Sequence, residues 1–397
     1  MHIFIIGSKG IPANYGGFET FVEKLTTWRQ DSRIHYHVSC MADEDSEFDF
    51  KGVHCFQIKT PKIGSAAPVI YDLRSLQESL RYIEKHGLKN CIIYICACRI
   101  GPFLLFFKDK LRQRNIKLLV NPDGHEWLRS KWNILIKQYW KISERLCVKT
   151  ADHVVCDSKA IEDYIHTRYA AYNKATAFIP YGAIISPQRQ WPARAFIEWK
   201  KRHRISDSYY LIVGRFVPEN NYEVMLREFI ASNSNRDLVI VTNVEKNKFY
   251  RKLDASTAFS TCPRIKFVGT VYDEELLTAI RQNAFAYLHG HEVGGTNPSL
   301  LEAMANTPLN ILLDVVFNRE VAGDSALFFS KKPGSLSNLL KQVEQLPPRQ
   351  ISWLTTAAKT RIRGIYSWEL VVKEYEAFFA AVIDSTPAAT HEHPASG

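Results

Sequence analysis

Twice in this chain a short apolar run ends on a glycine and opens into a loop that leads to a helix-spaced segment. Residues 2–6 run into Gly7, and residues 209–213 run into Gly214. Apolar runs of this length without polar alternation fit strands buried on both faces, as in a parallel sheet. After Gly7, further strands are expected at 34–40, 91–97, 117–120, 153–156 and 175–179. Helices are expected at 18–28, 69–86, 132–148 and 159–168. The alternation then stops and restarts. Strands at 238–241, 265–268, 284–288 and 310–313 alternate with helices at 222–230, 274–281 and 298–305. Two such series predict two doubly wound α/β units, and 397 residues are enough for two cores.

The break falls where Ile179-Pro180-Tyr181-Gly182 closes the first series and a stretch with Pro187, Pro192 and many charges follows. The expected organisation is a first domain over 1–185 and a second over 186–365, with 186–204 as linker plus short helix. A C-terminal helix over 366–385 and a disordered tail over 386–397 complete it.

Composition narrows the function only a little. Fifty-one Lys and Arg against 41 Asp and Glu give a net charge of +10, which favours anionic partners. No nucleic-acid recognition motif accompanies that charge, so no nucleic-acid partner is expected. Eight cysteines lack any CxxC pair, which suits reduced, mostly buried thiols in a cytoplasmic protein. Residues 1–7 are too short for a secretory leader, and no run reaches the ~18 apolar residues of a membrane span. The apolar run 100–107 reads as a core helix or, alternatively, as a surface helix touching lipid.

Four segments could carry chemistry. Residues 7–19 (GSKGIPANYGGFE) join a strand to a helix through four glycines, so that backbone N–H groups can approach a phosphate. Neither the P-loop nor the GxGxxG spacing is present. Arg215, just past a strand end, sits where open α/β sheets bind ligands, and its guanidinium suits a diphosphate; a plain surface arginine is the other reading. In residues 289–304 a Gly-Gly loop precedes Pro298 at a helix start, and Glu302 one turn inside can accept hydrogen bonds from sugar hydroxyls. His289 and His291 lie two residues apart with no nearby cysteine, and no metal is expected. In residues 121–132, Asp123, His125 and Glu126 crowd a loop at a strand end, either for proton handling and sugar binding or merely to shape the loop. Trp127, Trp132 and Trp140 with Arg129, Lys131, Lys137, Lys141 and Arg145 mix aromatic and basic character. That mixture fits carbohydrate stacking, nucleic acid, a membrane surface, or a solvated helix face over buried tryptophans.

These segments resemble the retaining GT-B enzymes of glycosyltransferase family 4. The resemblance rests on Gly214-Arg215, the FVGTV run at 267–271 with Glu274 and Glu275, and Gly295 through Met304. It also rests on residues 151–158 (ADHVVCDS) and on Trp368, similar to the segment that returns to pack on the first domain. Residues 7–19, 123–127, 217–221 and 294–302 together resemble bacterial β-1,4-rhamnosyltransferases of capsule, O-antigen and cell-wall polysaccharide synthesis. The resemblance implies a GT-B fold, two Rossmann-like domains facing a cleft. It implies dTDP-β-L-rhamnose as donor, a lipid-pyrophosphate-linked saccharide as acceptor, retention, and a peripheral place on the inner face of the cytoplasmic membrane. Competing classes are another nucleotide-sugar donor, a sugar-nucleotide epimerase and an inactive partner subunit.

By the same resemblance, Arg215, Asn220, Gly294, Gly295, Thr296, Asn297 and Glu302 hold the donor, with Gly16 and Gly17 adding amides from the opposite wall. Asp123, His125 and Arg215 are the catalytic candidates, and Asn14, Tyr15, Glu126 and Trp127 lie on the acceptor side. No cofactor is implied. Two positions depart from the family. Gly294 stands where the first glutamate of its Glu-x7-Glu pair would fall, with Glu292 two residues earlier, and Asn220 stands where a basic residue is usual.

Overall fold

The computed structural model describes residues 1–13, 16–129, 132–187 and 194–385. Asn14, Tyr15, Lys131, part of the linker and the tail 386–397 lie outside the described residues.

The first series builds one eight-stranded sheet. In chain order its elements are β1 (His2–Ile6), α1 (Gly17–Thr27), β2 (His35–Ala42), β3 (Ser46–Phe50), β4 (Val53–Lys59), α2 (Ala67–Lys85), β5 (Cys91–Cys96) and α3 (Gly101–Gln113). They continue with β6 (Lys117–Asn121), α4 (Ile134–Thr150), β7 (His153–Cys156), α5 (Lys159–Arg168) and β8 (Ala175–Phe178). The strand order is β3-β4-β2-β1-β5-β6-β7-β8, parallel throughout except for β3 on β4. Ile3 to Ile6 and all of β5 are buried, as helix-covered central strands must be. The antiparallel β3–β4 hairpin was not expected. It turns at Lys51 and Gly52, both with positive φ, and covers the sheet edge with a strand of largely exposed residues.

After α6 (Arg194–Arg202), the second sheet begins: β9 (Tyr209–Val213), α7 (Tyr222–Ser232), β10 (Asp237–Val241), α8 (Lys248–Thr257), β11 (Ile265–Phe267), α9 (Glu274–Gln282) and β12 (Ala286–His289). Then come α10 (Pro298–Asn306), β13 (Asn310–Leu313), α11 (Val316–Ala322), β14 (Leu327–Phe329), α12 (Ser335–Val343) and α13 (Pro348–Ile365). Its order, β11-β10-β9-β12-β13-β14, is wholly parallel. The chain then returns. α14 (Trp368–Asp384) packs on the first domain, where Glu376 accepts hydrogen bonds from the backbone N–H groups of Gln30 and Asp31, and the Tyr375 and Tyr94 hydroxyls meet at 3.1 Å. Trp368 lies flat enough against Gly182 that any side chain there would collide with the indole.

In each sheet the strand order reverses once, between β1 and β5 and between β9 and β12. Such switch points open a crevice at the carboxyl ends of the strands. The two glycine-rich loops occupy them.

α3 is not a core helix. Leu104 and Leu111 are buried, but Phe106 is 82% exposed and Leu105 is exposed beside it. Ile134, Leu135 and Ile142 are likewise exposed on α4, which packs against α3. Only one stripe of each helix faces the sheet, and the remaining apolar residues project outward. Among the described residues no helix is long and apolar enough to cross a membrane. Seven of the eight cysteines are buried and none is bridged.

Candidate active site

The loop after β1 is closed largely by its own helix. Glu19, one turn into α1, turns back so that its Oε1 accepts the Lys9 N–H at 2.8 Å. Glu23 accepts the Ala13 N–H at 2.6 Å. Gly16 caps the helix with φ 136°, a conformation that L side chains rarely adopt. Arg99, just past β5, fastens this end of the sheet by donating to the Gly7 carbonyl at 2.7 Å and to the fully buried Asp72 at 3.2 Å. Burial pushes the Asp72 carboxyl up to about 6 despite the guanidinium beside it. Gly17 faces Pro298 of the second domain, 3.7 Å from where a side-chain carbon would start.

The loop after β6 forms the next part of the first-domain wall. Asn121 accepts the Asp123 N–H at 2.9 Å, which holds Asp123 at φ 55°. Burial raises the Asp123 carboxyl to about 6, against the lowering influence of Arg129, Arg99 and Arg215. Asp123 therefore shares a field with the arginine of the opposite domain. His125 does not join them. Its ring packs edge-on to Tyr164 (4.3 Å) and Trp127 (5.7 Å), and burial followed by Arg168 lowers its pKa. Asp123 and His125 are adjacent in the motif yet face different neighbours. Glu126 pairs with Arg129 and accepts the Trp132 indole N–H at 3.1 Å.

On the second-domain wall, Arg215 is exposed and makes no ion pair with a described residue. Asn220 is buried, and its Nδ2 donates to the Arg215 carbonyl at 2.7 Å, bracing the turn that carries the guanidinium. That bond gives the side chain a supporting role in the turn. Glu302, on α10, pairs through Oε2 with the buried Arg281 of α9. No bond to its other oxygen is formed among the described residues, which leaves that oxygen to accept from a ligand. Glu292 is held by Lys331 at 2.5 Å and Asn221 at 3.3 Å. Asn297 caps α10 through Ser299 N–H at 3.0 Å. His289 and His291 stack at 4.2 Å, and burial depresses both, with Arg215 and Arg129 adding to the effect on His291. Among the described residues no group of three or more metal-binding side chains converges.

The two walls touch. Gly124 stands against the backbone of Gly294 and Gly295, and Thr296 Oγ1 donates to the Asp157 carbonyl. Asp157, just past β7, is the residue that motif reading missed. It is 3% exposed, its Oδ1 has no hydrogen-bond partner, and a side chain at Gly295 would start 1.9 Å from that oxygen. Burial, then Asp123 and Glu320, push its carboxyl up to about 8, so it is mostly protonated at neutral pH. Its signal was present in sequence, since the first residue beyond a parallel strand faces the crevice. Glu320 of α11 adds a second bridge, accepting the Lys159 and Ala160 N–H groups at 2.6 and 3.0 Å at the start of α5.

Family models divide the chain as the sheets do. Residues 1–184 match a domain of unknown function (DUF1972), and residues 194–360 match glycosyl transferases group 1. No curated protein matches the sequence. Among solved structures, the chain is similar to sucrose-phosphate synthase from Thermosynechococcus elongatus, with TM-score 0.76, 16% identity, and 96% of this chain and 99% of that one covered. It is similar to Anabaena HepE in complex with UDP (TM-score 0.65, 13% identity, 96% and 99% covered). It is also similar to a UDP-forming trehalose-phosphate synthase from Burkholderia xenovorans in complex with glucose-6-phosphate (TM-score 0.72, 10% identity, 96% and 100% covered). The chain has the two-domain GT-B fold, and its second domain matches glycosyl transferases group 1 over residues 194–360.

Proposed function

We propose that the protein transfers L-rhamnose from dTDP-β-L-rhamnose, with retention, to a lipid-pyrophosphate-linked saccharide at the inner face of the cytoplasmic membrane. The observation that carries the transferase reading is Arg215, without an ion-pair partner among the described residues at the switch point of a domain that matches glycosyl transferases group 1, and electrostatically coupled to Asp123 across the cleft. Rhamnose and the lipid-linked acceptor rest on the four motifs that resemble β-1,4-rhamnosyltransferases. The exposed apolar residues of α3 and α4 support the membrane location.

As the bond from the anomeric carbon to the phosphate oxygen breaks, positive character grows on the sugar and negative charge on the departing diphosphate. Arg215 stabilises that charge at no cost in reorganisation. Asn220 fixes the turn behind it. Glu302, oriented by Arg281, receives the pentose hydroxyls of the nucleotide. The acceptor hydroxyl attacks from the side the leaving group vacates and passes its proton to the departing phosphate oxygen. Asp123, whose carboxyl is raised by burial to about 6, is the candidate contact to the acceptor or the developing cation.

The test is dTDP release from dTDP-rhamnose, against UDP- and GDP-sugars, over a panel of lipid-pyrophosphate acceptors. Acceptor-dependent release, lost in Arg215→Ala and Glu302→Gln, supports the reading. Release from another nucleotide sugar discards rhamnose, and turnover without acceptor makes the protein an epimerase. Nucleotide binding with no turnover of any donor sinks the transferase assignment.

A further inference from the structure

Beside the loop after β6, on the outer face of the first domain, lies a cavity of about 400 Å³ lined by Lys141, Arg145, Arg168, Tyr169, Ala171 and Tyr172. Lys141 and Arg145 are four residues apart on α4 and share one helix face; Arg168 is the last residue of α5. Three cations thus converge on one concavity. None of them is ion-paired among the described residues. Arg145 donates to the Tyr172 hydroxyl at 2.7 Å. The Lys141 ammonium and the Arg168 guanidinium sit 4.7 and 5.9 Å from the centre of the same Trp127 indole. The neighbouring carboxylate of Glu144 is buried and takes hydroxyl hydrogen bonds from Tyr164 and Tyr169 at 2.5 Å each. One engaged anion cannot neutralise three cations.

We propose that this pocket is a phosphate-binding subsite that takes the phosphate of a lipid, either the pyrophosphate of a lipid-linked acceptor or the headgroup of an anionic bilayer lipid. The acceptor arm rests on the glycosyltransferase reading above. Guanidinium forks match phosphate oxygens bidentately, and an ammonium adds a third donor group. Through Lys141 and Arg168, which sit over the Trp127 ring, the pocket connects to the loop that carries Asp123. The same helix that supplies Lys141 and Arg145 carries exposed Ile134, Leu135 and Ile142, and α3 adds Leu105 and Phe106. Exposed apolar side chains on the helix that supplies two of the pocket's cations suit a ligand with a charged head and a hydrocarbon tail.

The test uses the full chain carrying Arg215→Ala, so that phosphate binding in the donor cleft does not mask the pocket, with and without Arg145→Gln and Arg168→Gln. Geranyl pyrophosphate is titrated calorimetrically. Vesicles of phosphatidylglycerol or of phosphatidylcholine are sedimented with each protein. Removing two charge-assisted contacts is expected to weaken geranyl pyrophosphate binding by at least about tenfold. A loss confined to sedimentation with phosphatidylglycerol assigns the pocket to bilayer headgroups. No change in either assay, at an unchanged melting temperature, overturns the proposal. If the double substitution lowers the melting temperature, Lys141→Glu reads the same binding from a single helix-surface position. dTDP binding by the protein with Arg215 intact and the pocket substituted is measured in parallel. Its absence sinks the transferase reading and leaves the pocket result standing.

Discussion

The two glycine-rich loops each press a glycine against a carboxylate, but the carboxylates come from different places. At Gly16 a side-chain carbon would start 1.8 Å from Oε2 of Glu19, three residues on in the same helix. At Gly295 it would start 1.9 Å from Oδ1 of Asp157, which belongs to the other domain. The first contact is local and closes a loop upon itself, since Glu19 and Glu23 already take two of its backbone N–H groups. The second exists only while the domains are together. One glycine serves the folding of a domain and the other the closing of a cleft. On the first wall Glu19 and Glu23 hold the Lys9 and Ala13 amides, while on the second the Arg215 guanidinium has no ion-pair partner among the described residues.

The largest effect that would sharpen this contrast is expected at Arg215. Arg215→Ala should lower kcat by about 10²–10³-fold, the usual cost of losing one preorganised donor to developing negative charge. Lys9→Ala, in the first loop, should change kcat by less than about threefold, as for most exposed positions. Equal losses in steady-state transfer assays would break the asymmetry. Next comes Gly295→Ala, which should cost about tenfold to a hundredfold in kcat/KM by holding the walls apart, because misplacement near 1 Å has effects of that size. Asp157→Ala in the same chain should restore part of the loss. A Gly295→Ala variant that closes normally by small-angle scattering and turns over normally would refute the role given to the contact.

The same contrast explains what the sequence disclosed. Unbroken apolar runs such as residues 91–96 leave little choice but a buried strand, and the two series of alternation define two doubly wound sheets. The β3–β4 hairpin escaped because its strand SEFDF is acidic and exposed, and its turn is Lys-Gly rather than Asn-Gly. The surface character of α3 was ambiguous because a periodicity of apolar residues does not say which stripe finds a neighbour. At the site, Arg215 and Asp123 could be picked out because each follows a strand, and Glu302 because it lies one turn inside a helix that opens after a Gly-Gly loop. Arg281, Glu320 and Asp157 act on partners far away in sequence, and nothing in local spacing announces a contact between residues 157 and 295. Asn220 shows that motif position does not disclose a supporting bond, since its side chain also braces the backbone that carries Arg215.

At the first loop the effect should fall on stability. Gly16→Ala forces a side chain into a positive-φ conformation and against Glu19, and should lower unfolding free energy by about 1–3 kcal/mol. Glu19→Ala in the same chain should relieve the collision but not the backbone cost, so recovery in chemical denaturation should be partial. Full recovery would mean that the φ requirement contributes nothing.

The smallest expected effect concerns the buried acid at the seam. Asp157 is raised from its ordinary 3.8 to about 8, chiefly by burial. The native state then keeps a proton that the unfolded chain has already released, so this group makes stability fall as pH rises from about 4 to about 8. Separation of the walls lets water reach the carboxylate, which limits the penalty. Asp157→Asn keeps a neutral group of similar shape and removes the titration. The variant should therefore lose less melting temperature than the parent between pH 5 and pH 8, by about 2–4 °C, equivalent to about 1 kcal/mol in domains of this size. Asp123→Asn provides the control, because its carboxyl is raised only to about 6 and its contribution should be complete before pH 8. Parallel melting curves for parent and Asp157→Asn across that range would mean that the seam is open to water in solution, and the cross-domain contact at Gly295 would lose its claim to hold the cleft closed.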